Sequence, residues 1–198
     1  MTEHTGANII WHPETITPGM AETLRTLRDR GLIDHAYLAG GTALALRFGH
    51  RLSVDLDFFA PDLFEVAKAP HTIHAVTQRT KVSFLGYPYP ELFPPAQFEG
   101  VPVADPRDIA CMKLSAIASR GTKRDFIDLY VASAQFGLQE ILAWFARKYA
   151  KTRYSRLHLL KSLTYFGDAE KDPLPHMLVP LAWEDVLYFF KKEVPPLL

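Results

Sequence analysis

The chain has 198 residues, 48% of them hydrophobic and 22% charged, a composition that supports an ordinary packed core and excludes a disordered or fibrous protein. Its 22 Lys and Arg balance its 22 Asp and Glu, so the chain as a whole is no basic surface for nucleic acid, and any such contact needs a local patch. The single cysteine, Cys111, excludes an internal disulfide and a cysteine-based zinc site, and the absence of a signal-like leader or of about 18 consecutive apolar residues predicts a cytoplasmic protein without a membrane partner.

In chain order, a polar lead-in to Pro18 precedes Met20, Leu24, Leu27 and Leu32, whose spacing predicts a first helix ending near Gly31. Residues 35–39 read as a short strand that stops at Gly40-Gly41, and Thr42 is placed to cap a helix running to Gly49. Residues 52–59 alternate polar and apolar, which predicts a strand. Residues 63–76 read as a helix, 81–87 as a strand, and a proline-rich loop follows. After a further short strand near residues 100–103, Asp105 and Pro106 announce a helix start. That helix is expected to run to Gly121, and a second one from Thr122 to Gly137. Helices at 138–149, 155–166 and 183–192 complete the chain. The expected fold is α+β: a small mixed sheet with helices, then a C-terminal helical bundle, with residues 1–136 as core and 137–198 as an extension packed on it.

Alternation puts Asp55 and Asp57 on one face of their strand, about 6 to 7 Å apart. Their repulsion is relieved if a cation lies between them, and Mg²⁺ (or Mn²⁺) characteristically combines one or two carboxylates with phosphate oxygens. Two exposed acids on an edge strand is the alternative. Upstream, a strand that ends in Gly40-Gly41 and turns directly into a helix lets backbone N–H groups approach a phosphate, with the Thr42 hydroxyl beside them. A nucleoside triphosphate (NTP) and its metal would thus meet two matched halves of one site. Arg51, between the two, is placed to hold a phosphate bidentately or to form a loop salt bridge. Lys113 interrupts an otherwise apolar or small-residue helix, so it either faces an anion or carboxylate or lies on a single exposed stripe. Asp125 and Asp128, three apart, share a helical face that could meet Lys113 across the Gly121 turn. Asp128 reads equally well as an ion-pair partner of Arg124 or Arg120.

The segment AGGTALALRFGHRLSVDLDFF, residues 39–59, resembles the signature of DNA polymerase beta-like nucleotidyltransferases, and more narrowly that of AbiEii-like toxins. Residues 109–118 and the run Gly121-Thr122-Lys123-Arg124-Asp125-Phe126-Ile127-Asp128-Leu129 resemble two further motifs of the narrower family. The resemblance implies an Mg²⁺-dependent transfer of NMP from an NTP, with Asp55 and Asp57 as catalytic metal ligands and Gly40, Gly41, Thr42 and Arg51 at the nucleotide. Lys113 matches the family's catalytic lysine, and Asp125 a base or orienter for the acceptor. It further implies a toxin of a toxin–antitoxin or abortive-infection system, tRNA as the acceptor, and a cognate antitoxin rather than DNA as partner. One departure stands out: the superfamily adds a third acid from a later strand, and residues 81–87 contain none. Glu91, Glu99 or Asp125 are the substitutes in sequence. A competing expectation is a nucleotide-binding or protein-interaction module that keeps the fold without the reaction.

His71 and His74 have ligand-like spacing on a predicted helix, with a surface pair as the ordinary reading. Residues 147–161 carry six basic side chains and no acid, interleaved with Tyr149 and Tyr154. This is either a solvated face or a track for an RNA backbone with rings for stacking. The aromatics of residues 183–190 read as core or partner-facing.

Overall fold

The computed structural model describes residues 9–61, 72–77 and 80–198. Helix α1 (Pro18–Asp29) begins where the Thr17 hydroxyl accepts from the Met20 N–H and Pro18 takes the first position. It buries Met20, Thr23 and Leu24. Strand β1 (Tyr37–Ala39) leads without a break into α2 (Gly40–Phe48). The helix starts two residues before Thr42 and has Ala39 as its cap, so Thr42 does not cap it. Its side chain is turned inward, with the hydroxyl 2.7 Å from Ser53 Oγ and bonded to the Asp55 carbonyl. Gly49 ends the helix in the left-handed conformation.

Strand β2 (Asp55–Ala60) alternates as expected: Leu56, Phe58 and Ala60 are buried, while Asp55, Asp57 and Phe59 lie on the partly open face. Strands β3 (Thr72–Thr77), β4 (Thr80–Gly86), β5 (Ala96–Phe98) and β6 (Val101–Val103) complete a six-stranded mixed sheet in the order β3-β4-β2-β1-β6-β5. β2 is antiparallel to β1 and parallel to β4, and β1 is parallel to β6. Two strands depart from the sequence reading. Residues 72–76 are a strand instead of the end of a helix, with Thr72 to Thr77 pairing antiparallel to Leu85 to Thr80; the β-branched Thr72, Ile73, Val76 and Thr77 favour that state. The remainder of the predicted helix lies outside the described residues. β5 emerges from the proline-rich loop because Glu99 and Gly100, both at positive φ (48° and 80°), form a tight hairpin turn into β6.

Helix α3 (Pro106–Ser119) is capped by Asp105, whose carboxylate accepts from the Arg107 N–H. Helix α4 (Lys123–Phe136) is capped by Thr122. Then follow α5 (Leu138–Lys148), α6 (Arg156–Ser162, shorter than expected) and α7 (Trp183–Glu193). Two hydrophobic clusters meet on α3. One joins the sheet to α1 and α2 and includes Ile109. The other, from Ala110 onward, packs α3 to α7 around Phe126, whose ring lies 5.1 Å from Phe166 and 5.5 Å from Phe190. A buried Asp108–Lys148 pair (2.7 Å) pins α5 to α3, and Asp108 also accepts from the Leu92 and Phe93 N–H groups. No helix among the described residues is long and apolar enough to cross a membrane.

Candidate active site

The β1–α2 turn, the open face of β2, and the facing sides of α3 and α4 enclose a cleft of about 510 Å³. Gly40, Gly41, Thr42, Arg51, Asp55, Asp57, Lys113 and Asp125 all line it. Eight of the nine site residues singled out in sequence, all but Asp128, therefore line one cavity, though they come from four elements and the loop between α2 and β2.

Both glycines have a geometric reason. Gly40 has φ +66°, and a Cβ there would lie 3.2 Å from Asp57 Oδ2. At Gly41 an added Cβ would sit 2.2 Å from Arg51 Nη2. The turn thus brings bare backbone against the carboxylate pair on one side and the Arg51 guanidinium on the other.

Behind the cleft lies a buried charge network centred on Asp128, which is fully buried. Its Oδ1 accepts from Arg51 Nε and His50 Nε2, both at 2.8 Å, and its Oδ2 from Arg51 Nη2 at 2.8 Å, while the Lys113 ammonium is ion-paired to Oδ2 at 2.7 Å. These partners replace Arg124 and Arg120, which the sequence offered for Asp128. The Arg51 fork is engaged by a carboxylate within the protein, the salt-bridge alternative of its two readings. Lys113 also donates to Asp125 Oδ1 at 2.8 Å, and Asp125 accepts from Thr122 Oγ1 at 2.5 Å. Burial alone would lower the Lys113 ammonium, but Asp128 and Asp125 outweigh it and hold its pKa above the ordinary value. Burial likewise opposes ionisation of Asp125 and Asp128. Lys113 overcomes it at both, with Thr122 helping at Asp125 and Arg51 at Asp128, so both carboxyls titrate below the ordinary range, Asp128 well below.

Asp57 behaves oppositely. Burial raises its carboxyl above the ordinary value and Asp55 adds to the rise, while a bond from Ser83 and the charges of Lys113 and Arg120 oppose it. An anion pair held this way lacks a full counter-charge: Arg124 Nη1 reaches Asp55 Oδ2 only at 3.8 Å and is half exposed. Two carboxylates on one face, facing a triphosphate-sized cavity, fit a hard divalent cation that draws its remaining ligands from water and phosphate. Among the described residues no group of three or more His, Cys, Asp or Glu is arranged to hold a metal by itself. The β4 residue paired with Asp57 is Ser83, and the β3 residue paired with Ser83 is His74, whose Nδ1 lies 3.1 Å from Ser83 Oγ. His74 therefore lines the cleft; His71 lies outside the described residues. Glu91 and Glu99 do not line the cleft, leaving Asp125 as the further acid at its wall.

Sequence reasoning missed Lys81, Ser83, Arg120 and Arg124 on the cleft. The signal for the first two was available, since the period of two places Lys81 and Ser83 on the face of β4 that continues the Asp55–Asp57 row. Arg120 and Arg124 are largely exposed and lie 3.6 Å from Asp125 and 3.8 Å from Asp55, which makes them the cleft's adaptable cations.

The chain resembles an uncharacterized protein of Aquifex aeolicus (strain VF5), with 36% identity over 195 residues that cover 87% of this chain and 93% of the relative. In three dimensions it is similar to MenT4, a nucleotidyltransferase toxin from Mycobacterium tuberculosis H37Rv, at 18% identity and a TM-score of 0.55, covering 88% of this chain and 81% of that one; that likeness establishes the fold. The profile described as "Nucleotidyl transferase AbiEii toxin, Type IV TA system" matches residues 22–84 and 76–196. The chain therefore belongs to the AbiEii nucleotidyltransferase toxin family.

Proposed function

We propose that the cleft transfers an NMP from an NTP to an RNA acceptor, tRNA being the acceptor that the family resemblance suggests, and that a cognate antitoxin restrains this activity. The observation that carries the reading is the convergence of the Gly40–Gly41 turn, the Asp55–Asp57 pair and the Lys113–Asp125 pair on one cavity. The turn offers the N-terminal end of α2 to phosphate oxygens. Asp55 and Asp57 would hold Mg²⁺ or Mn²⁺, which when bound neutralises charge on the triphosphate and on the departing pyrophosphate. Lys113 remains an ammonium across the neutral range and supplies fixed positive charge at the reacting phosphate. Asp125 aims that ammonium and orients the acceptor hydroxyl. Its lowered pKa makes it a weak proton acceptor, which favours orientation over base catalysis. Arg51 and Asp128 act one step back by fixing the position of Lys113. Arg120 and Arg124, free to swing, close on the outer phosphates.

In balance, an acceptor oxygen forms a bond to the α-phosphorus, the bond from that phosphorus to the bridging oxygen breaks, and the acceptor proton passes to solvent as pyrophosphate departs. The test is incubation of purified protein with each α-labelled NTP in turn and total RNA, with Mg²⁺ or with excess EDTA. Label in RNA that requires Mg²⁺ supports the reading; no label with any of the four nucleotides overturns it. A second reading, a nucleotide-binding or protein-interaction module that has lost turnover, is favoured by one observation: Ser83 stands where a strand acid would complete the set beside Asp57. It predicts NTP binding without label transfer.

A further inference from the structure

A second cleft of about 340 Å³ opens beside the first, between the start of α6, the end of α5 and α3. Tyr149 and Ser115 line both cavities, so the two are neighbours that share a wall. The second is built differently from the first. No Asp or Glu lines it, and its walls are rings in sequence: Tyr89 to Tyr149 at 4.7 Å, Tyr149 to Phe145 at 4.5 Å, Phe145 to Tyr154 at 5.1 Å. Tyr154 is 42% exposed, a large fraction for a ring at the mouth of a cavity. Next to it Arg153 is exposed and forms no ion pair among the described residues. Both belong to the segment 147–161, whose six basic residues have no acid among them. Only Lys148 of the six is buried, held by Asp108.

The three observations have one common answer. Ring faces at the mouth of a cavity accept a flat heteroaromatic group, and an unbalanced run of exposed cations accepts a polyanion. The shared wall of Tyr149 and Ser115 places the bound group beside what reacts in the catalytic cleft. We infer that this second cleft is an acceptor subsite, in which an unpaired nucleobase near the reacting end of a single-stranded nucleic acid stacks on Tyr154. Arg153 and its basic neighbours follow the adjoining phosphates. The inference rests on the nucleotidyl-transfer reading and adds where and how the acceptor is held. A base-paired end fits poorly, because its faces are already stacked and its edges paired. Ser115 and Ser155, both exposed residues at the cavity wall, carry hydroxyls that can donate to a ribose, Ser155 Oγ already accepting from the His158 N–H.

The probe is a 5′-fluorescein-labelled 12-nucleotide single-stranded RNA of oligo(A), followed by fluorescence anisotropy against wild type, Tyr154→Ala, Tyr154→Phe and Arg153→Ala. A DNA oligonucleotide of the same sequence and a blunt RNA duplex of the same length are compared. Base stacking of about 1–3 kcal/mol corresponds to a weakening of about 5- to 150-fold in Tyr154→Ala. Tyr154→Phe should stay within about two-fold of wild type, and Arg153→Ala should weaken binding at low salt more than at high salt. Far-UV circular dichroism and thermal melting establish that the variants are folded, as expected for side chains this exposed. Binding by either single strand above the duplex supports the subsite, the stronger of the two naming the sugar. Equal affinity of wild type and Tyr154→Ala, or preference for the duplex, overturns it. Displacement of a fluorescent NTP analogue is measured on the same variants and should not change. If NTP transfer fails while oligonucleotide binding still depends on Tyr154, the function proposed above falls and with it the acceptor role, leaving a single-strand binding site. If transfer proceeds with an unchanged acceptor KM in Tyr154→Ala, the subsite falls alone.

Discussion

Replacing Asp128 by Asn separates the support of the site from its chemistry. The wild-type carboxylate takes three hydrogen bonds, from His50 and both arms of Arg51, and one ion pair with Lys113, all at 2.7 to 2.8 Å and out of water. An asparagine offers one acceptor oxygen, and its amide would point at Arg51 Nη2 and Lys113 or at Arg51 Nε and His50, donor against donor. Removing the anion also leaves the buried Arg51 without its partner and Lys113 with Asp125 alone. Breaking a buried pair in this way costs about 3–5 kcal/mol, a large share of the about 5–15 kcal/mol that holds a domain folded. For a chain of this size that is a fall of about 6 to 20 °C in Tm. Asp125→Asn should differ: Lys113 keeps Asp128, the site opens to the cleft, and the loss is about 1–3 kcal/mol. Urea unfolding of the two variants, read by tryptophan fluorescence, checks both numbers. An Asp128→Asn protein within about 1 kcal/mol of wild type would refute the assignment of Asp128 as the keystone of the network.

Three further outcomes follow from the same geometry. The carboxyl of Asp128 sits well below its ordinary 3.8 in the fold, so its stabilising contribution is complete above that value and is lost as pH falls through the lower folded value. The stability gap between wild type and Asp128→Asn should therefore be constant from about pH 6 to 8 and shrink below pH 3.8; a gap that persists undiminished to pH 3 contradicts a lowered Asp128 carboxyl. Gly41→Ala puts a methyl group 2.2 Å from Arg51 Nη2, and the overpacking should cost about 1–3 kcal/mol. Weakened NTP binding is expected with it, measured by calorimetry; affinity equal to wild type would place the nucleotide elsewhere. Asp108→Asn should free the Lys148 ammonium and the Leu92 and Phe93 N–H groups that Asp108 holds, costing about 3–5 kcal/mol. Faster limited proteolysis in residues 88–95 than in wild type reports it, and an unchanged cleavage rate speaks against this tether.

Much of the site was legible because its residues obey local rules. Asp55 and Asp57 had to share a face once residues 52–59 alternated, and Asp105 and Thr122 announced two helix starts by capping chemistry alone. The approach of Lys113 to Asp125 was also within reach, since the Gly121 turn folds α4 back along α3. What escaped was set by long-range contact. Asp128 meets Arg51 from 77 residues away, and no local pattern distinguishes that partner from the nearer Arg124. Thr42 resembled a cap by its position after two glycines, yet α2 begins at Gly40 and the hydroxyl faces β2. β3 was hidden inside residues 63–76, which read as a helix, because its strand state comes from pairing with β4. β5 was hidden in a proline-rich stretch whose only turn signal is Glu99-Gly100.

Whether the acid pair and the Lys113–Asp125 pair serve one transfer reaction, as proposed above, is tested most directly by α-labelled NTP transfer to RNA with wild type, Asp57→Asn and Lys113→Met side by side, each variant first shown to be folded and to bind NTP. Mg²⁺-dependent labelling by wild type is expected, with a loss of at least about a hundred-fold in both variants, from removal of a metal ligand in Asp57→Asn and of a fixed charge at the reacting phosphate in Lys113→Met. Labelling by either variant at the wild-type rate would contradict the proposal.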